Sequence, residues 1–453
     1  MRADRLLLAT VVALALLAGG LSVASAKLGP GVDSLTTIPM FDGTSVNTEI
    51  GLTFTEPMLK QPTERSVSFK PNIAASFNWV GNELMFLPKS PLRYHTRYTV
   101  TVGVSARDTQ GRSFFRPYHS SFTTQSRHLI YQGTAGNQRS RLVVASLDGK
   151  RQIVGNPNVG DYSLSFDRSL VVYSRRPAHG KPADEIWILS LADGSTQRIF
   201  AHRGWQISEP HFSPDGQYVV FLATNVRICQ KFYGCFVDTT SPVVYLYSLR
   251  SHQVRPFHAG NDVPISNFIT FSPAGQIAYT DLGSALTLAD PNGSNLVHVP
   301  NQGNSLVFSA FDASGNEAAF VGQTASSIGG DVLVFVHSKY VDVSKGVYDS
   351  DAPAFATSGK RIAYAGYHGE KGIEPLYSIN VYDFASRHTR RLALSSTLSD
   401  WSPTWSTDDR YVALVRSRPQ EAMYMGSGQI WIMRSDGSGL RRLGGIGSDP
   451  RWL

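Results

Sequence analysis

A short strand that ends on an aromatic residue, breaks at a turn and resumes as an apolar strand recurs six times in the second part of this chain. The starts read Ser165-Phe166-Asp167-Arg168, His211-Phe212-Ser213-Pro214-Asp215-Gly216, Thr270-Phe271-Ser272-Pro273, Ala310-Phe311-Asp312-Ala313, Ala354-Phe355-Ala356-Thr357 and Thr404-Trp405-Ser406-Thr407. Apolar strands follow, among them Leu170-Val171-Val172-Tyr173 and Tyr218-Val219-Val220-Phe221, and then second hairpins such as Glu185–Leu189 and Gln429–Met433. The aromatic positions lie about 40–60 residues apart, the period of a four-stranded propeller blade. A unit of that size cannot bury its apolar face alone, so such a chain must stack its units. The turn has a local cause, because proline presets φ and glycine accepts φ > 0, which lets the two strands reverse tightly.

The ends of the repeat region predict how it is completed. His128 to Gly155 has strands and a turn at Asp148-Gly149 but no aromatic-ending strand before it. Ser448-Asp449-Pro450-Arg451-Trp452-Leu453 reads as that missing strand, with Trp452 matching Trp405. The expected architecture is a seven-bladed ring closed by this strand, which removes the open sheet edge between first and last blades. The alternative is an open or six-bladed ring with a stray tail.

With these residues in view, Arg127 to Leu453 resembles the TolB-type, WD-like β-propeller. The fingerprint is Glu209-Pro210-His211-Phe212-Ser213-Pro214-Asp215-Gly216, echoed by Ser402-Pro403-Thr404-Trp405 and Asp449-Pro450-Arg451-Trp452. That superfold hosts binders and enzymes alike. Ahead of it, residues 33–125 alternate with period two in runs of about five, broken by Gly, Pro and Asn, as in an Ig-like β-sandwich. Pro39-Met40-Phe41-Asp42-Gly43-Thr44, Phe54-Thr55-Glu56-Pro57-Met58 and Phe122-Thr123-Thr124 stand in the order found in the bacterial Ig-like domain of surface proteins. That resemblance implies a spacer or adhesive module. The fold class is therefore all-β throughout, a sandwich followed by a propeller.

The first 26 residues point to export. Arg2 and Arg5 precede the apolar run Leu6–Leu17, and Ala24-Ser25-Ala26 offers a cleavage site. The same stretch, uncharged from Leu6 to Ala26, is also just long enough for an uncleaved anchor. Cys229 and Cys235 are the only two cysteines. In an oxidising compartment they are expected to pair and pin the loop between them; two free thiols are the alternative. A net charge of +7 on 453 residues is too mild to argue for nucleic acid.

Catalytic signatures are scarce. No Gly-x-Ser-x-Gly elbow and no Gly-rich phosphate loop occurs, and the histidines lack the spacing of a metalloprotease helix. The position before each repeated aromatic holds one histidine, His211, so a ring of imidazole ligands is not expected and neither metal nor cofactor is implied. Five acids, Asp161, Glu209, Asp351, Asp400 and Asp449, fall just before the inner strands, where propeller symmetry would gather them at one mouth as a site for a cation or basic peptide. The bland reading is turn-capping acids. Lys231, Phe232 and Tyr233 form a basic, aromatic loop tip between the cysteines and are a second candidate contact. The expected function is an exported, non-catalytic binding or scaffold protein for an envelope or extracellular protein, peptide or glycan, with the membrane involved only through an uncleaved N-terminal segment. The alternative is a propeller hydrolase or lyase acting on an extracellular polymer.

Overall fold

The computed structural model describes residues 29–453 apart from 136–138, 177–182, 226–241, 260–267, 281–283, 324–329, 346, 348, 369–375, 393–394 and 420–426. Residues 1–26, expected to direct export or anchor the chain, and Cys229, Cys235 and Lys231-Phe232-Tyr233 lie outside the described residues. The chain divides into two compact units, Met1–Ser126 and Arg127–Leu453.

In the first unit, strands Val32–Thr36, Ile50–Phe54, Glu83–Pro88 and Ala75–Val80 form one antiparallel sheet, and Val67–Lys70, Arg97–Val102 and Tyr118–Thr123 form another. Their alternating inner residues meet in one core containing Ile50, Leu52, Phe54, Leu84, Phe86, Val100 and Val102. A one-turn departure from the expected all-strand pattern is the helix Lys60–Ser66. Pro62 sits in its first turn, where its missing N–H would have had no intrahelical partner anyway.

The second unit consists of antiparallel meanders. Five sheets have four strands each and start with the strands Val159–Leu164, Trp205–Phe212, Ile269–Phe271, Ser305–Phe311 and Ser350–Phe355. A further seven-stranded sheet begins with Ser399–Trp405 and ends with Arg151–Val154. At its centre lies the long strand Arg441–Trp452. The first half of this strand pairs with Gly428–Arg434, and its second half pairs with His128–Ala135, placing Leu129 opposite Trp452.

Apolar clusters join neighbouring sheets. Ile186 and Ile188 pack with Phe212, Val219 and Phe221, and Ala363 and Ile379 pack with Trp405 and Leu414, while within the seven-stranded sheet Leu129 and Tyr131 share a cluster with Val415, Ile430 and Trp452. The strand-ending aromatics add polar ties. The Trp405 indole N–H donates to the Ala354 carbonyl (3.0 Å), and that of Trp452 donates to the Thr404 carbonyl (3.1 Å).

The turn chemistry takes the expected form at Ser213–Gly216. The Gly216 N–H donates to the Ser213 carbonyl at 2.9 Å, Gly216 has φ = 67°, and the Ser213 hydroxyl donates to Asp215. Where glycine is missing, the same turn is kept by Arg168 (φ 61°) and Asp409 (φ 56°) in the left-handed region. One aromatic departs from the repeat. Strand Val159–Leu164 stops before Phe166, whose side chain is 68% exposed, whereas Phe212, Phe271, Trp405 and Trp452 are buried.

Candidate functional site

Four innermost strands share a kink that sets where the acidic residues go. Glu209, Ala352, Ser402 and Asp449 all have φ near +50°, and each precedes a proline. At each of these points the ladder to the next strand shifts register, between Ser208 and His211, Asp351 and Ala354, Trp401 and Thr404, and opposite Ile130 and Gln132. Proline has no N–H for the ladder and the residue before it is turned out of the pleat, so each kink is a β-bulge.

Asp161, Glu209 and Asp449 come together. An Asp161 carboxylate oxygen accepts the Glu209 backbone N–H at 3.1 Å. Removal from water, followed by the charges of Glu209 and Asp449, holds the Asp161 carboxyl above its ordinary range, against the pull of that amide. Each neighbour has a basic companion two residues on. Glu209 lies 3.4 Å from the His211 imidazole, and Asp449 is held by Arg451 at 3.1 Å. The Arg451 guanidinium also sits over the Tyr162 ring, 5.3 Å from its centre. Its own proton is held more tightly than usual: desolvation opposes this, but the charges of Asp449, Tyr162 and Glu209 and the bond to Asp449 together outweigh it. Tyr162 is buried and its hydroxyl donates to the carbonyls of Ile130 and Asp449. The group is thus a carboxylate-rich patch with a fixed cation on one flank, drawn from Val159–Leu164, Trp205–Phe212 and Arg441–Trp452.

The other two acids stand in different surroundings. Asp351 is exposed, accepts the Ala352 N–H at 2.6 Å, and has its carboxyl raised by the surrounding protein and then by Asp349. Asp349 in turn accepts the Tyr377 hydroxyl at 2.5 Å, and the Tyr377 ring stacks 4.0 Å from Trp401. Asp400 is fully buried and takes a two-pronged ion pair from Arg416 at 2.6 and 2.7 Å. Burial pushes its carboxyl up to about 6 despite the guanidinium, and both of its oxygens are occupied. Asp400 therefore serves the interior of its sheet, not a ligand.

Arg451, Tyr162 and His211 belong to the acidic group although counting acids along the sequence does not find Arg451 or Tyr162. The recurring x-Pro dipeptide, two residues before the aromatic or its predecessor, was the available signal. A second aromatic group lies where Phe200, His202, Trp205 and Tyr245 meet, with His202 stacked 4.0 Å from Trp205 and Trp205 4.5 Å from Tyr245. Trp205 pairs with Asn225, the residue that precedes the 226–241 segment. Among the described residues, no group of three or more His, Cys, Asp or Glu side chains is arranged to hold a metal ion, and no helix is long and apolar enough to cross a membrane.

Comparison with known proteins finds one family match, in the first unit, and a set of fold similarities. Residues 27–124 match the family model of the bacterial Ig-like domain. No curated protein matches the chain. Among solved structures, TolB from Acinetobacter baumannii is similar at 15% identity and a TM-score of 0.42, covering 80% of each chain. An oligogalacturonate lyase from Vibrio parahaemolyticus is similar at 12% identity and a TM-score of 0.48, covering 64% of this chain and 87% of that one. The β-propeller domain of the Trilobed protease from Pyrococcus furiosus is similar at 11% identity and a TM-score of 0.48, covering 70% and 94%.

Proposed function

We propose that this is an exported, non-catalytic binding protein of the cell envelope, in which an Ig-like spacer carries a seven-bladed propeller whose ring is closed by Arg441–Trp452. The propeller takes a cationic segment of a protein or peptide at the mouth where the inner strands begin. The observation that carries this reading is the meeting of Asp161, Glu209 and Asp449, carboxylates from three separate strands, with the Asp161 carboxyl raised first by burial and then by its acidic neighbours. Like charges crowded in this way gain most from an arriving cation. Arg451 and His211 on the flank give the patch a polarity that would orient a bound segment.

Calorimetric titration of the full chain with a ten-residue oligolysine peptide at low salt tests the reading, with oligoglutamate as control. Binding of oligolysine that weakens at least fivefold in Asp161→Asn with Glu209→Gln supports it. Equal binding by parent and variant overturns the assignment of the mouth. The hydrolase or lyase alternative predicts release of soluble fragments when the chain is incubated with an extracellular polysaccharide or protein.

A further inference from the structure

The Ig-like unit carries a feature that a spacer does not need. Residues 105–108 and 112–114 form a small hairpin, with Arg107 bridged to Ser113 and the Phe114 N–H donating to the Ala106 carbonyl. Phe114 points into the core, but Phe115 beside it is 84% exposed. Two exposed arginines accompany it, Arg107 and Arg116, and among the described residues neither makes an ion pair. The acids at the base of the hairpin do not cancel them. Asp108 is buried under Arg112 at 2.6 Å, and Glu56 lies 3.7 Å from the same guanidinium.

A single exposed phenylalanine on a protein surface is ordinary. Its position here is what matters. Gly29 is packed so closely against Ser113 that an added Cβ would meet the Ser113 carbonyl oxygen at 2.4 Å. Gly29 stands three residues after Ala26, the end of the uncharged stretch Leu6–Ala26, with Lys27 between. Three residues span at most about 11 Å. Whenever Leu6–Ala26 occupies a bilayer, the hairpin is therefore held within that distance of the surface.

We infer that the Phe115 hairpin is a membrane-contact element, with Phe115 entering the headgroup region of an anionic phospholipid surface and Arg107 and Arg116 meeting the lipid phosphates. Aromatic residues favour that interface, and arginines are drawn to its negative potential. The contact is weak by itself, and the tether supplies the local concentration that makes it form.

The test is hydrogen exchange of residues 104–117 in the full chain, reconstituted into vesicles of phosphatidylglycerol and phosphatidylcholine, compared with vesicles of phosphatidylcholine alone. The expected result is exchange slowed about fivefold or more only in the phosphatidylglycerol vesicles, restored by Phe115→Ser with Arg116→Ser, with the core strands Ile50–Phe54 and Arg97–Val102 unchanged in both proteins. Equal exchange in the two vesicle types overturns the inference. Equal protection of the chain beginning at Lys27 by a soluble polyanion such as dextran sulfate also overturns it, in favour of an anionic polymer.

Discussion

Leu129 and Trp452 face each other in one antiparallel ladder, although they come from the two ends of the second unit. Trp452 is buried at 1% exposure and Leu453 is fully buried, and the Leu453 N–H donates to the His128 carbonyl at 3.0 Å. Replacing Trp452 by alanine removes a large buried ring and its bond to Thr404, and changes of this kind cost roughly 3–5 kcal/mol. In a unit of this size that corresponds to a fall in melting temperature of about 4–7 °C. Deleting Gly447–Leu453 should cost more and destroy cooperative melting of the second unit, as read by calorimetry. A truncated chain that melts at the parent temperature would refute the role given to this strand.

The Asp400–Arg416 pair sets a pH dependence. The unfolded carboxyl loses its proton near 4 and the folded one at about 6. Between these values the native state keeps a proton that the unfolded state has lost, so this group's contribution is most favourable below about pH 4, declines as pH rises from about 4 through about 6, and is then level, the loss amounting to roughly 2–3 kcal/mol. Urea midpoints of the parent should therefore fall from pH 4.5 to 7.5 relative to those of Asp400→Asn. At pH 7.5, Arg416→Met leaves a buried carboxylate without its partner and should cost about 3–5 kcal/mol.

At the group formed by Asp161, Glu209 and Asp449 the single changes should separate. Asp161→Asn relieves repulsion and should leave stability unchanged or slightly raised, while weakening oligolysine binding. Asp449→Asn strips Arg451 of its counter-ion and, because both side chains are more than a third exposed, should lower stability by only about 0–1 kcal/mol. If both variants behave alike in thermal melts, the flanking ion pair is not the structural element described.

The cysteine expectation is checked chemically. The exported, non-reduced protein should show a single disulfide between Cys229 and Cys235 by mass spectrometry. Two alkylatable thiols would exclude it.

The period, the turn chemistry and the pairing of the terminal strand were readable because they rest on local residue properties: alternation, proline and glycine at turns, and the match of Trp452 to Trp405. The grouping of the acids was not. Asp161 and Asp400 stand five residues before their aromatic, Asp351 four, and Glu209 and Asp449 three, and a strand turns over at every step. The bulges add a residue on one side of the ladder, so a count along the sequence cannot say which acids share a face. Asp400 was misjudged for a further reason. Its partner Arg416 lies directly opposite it on the next strand, and a cross-strand neighbour is invisible until register is known. Phe166 holds the repeat's aromatic position, but its strand ends two residues before it and the ring is exposed, a difference that the repeat pattern does not reveal.

The shared strand Arg441–Trp452 also imposes an order on synthesis. His128–Ala135 emerges early with one flank already paired to Arg139–Ser146, while its other flank stays bare until Arg441–Trp452 has been made. During all of that elongation the nascent chain displays an unfilled template for β-pairing, the type of edge that recruits wrong neighbours. Until Arg441–Trp452 docks, this bare flank is the part of the second unit most open to self-association.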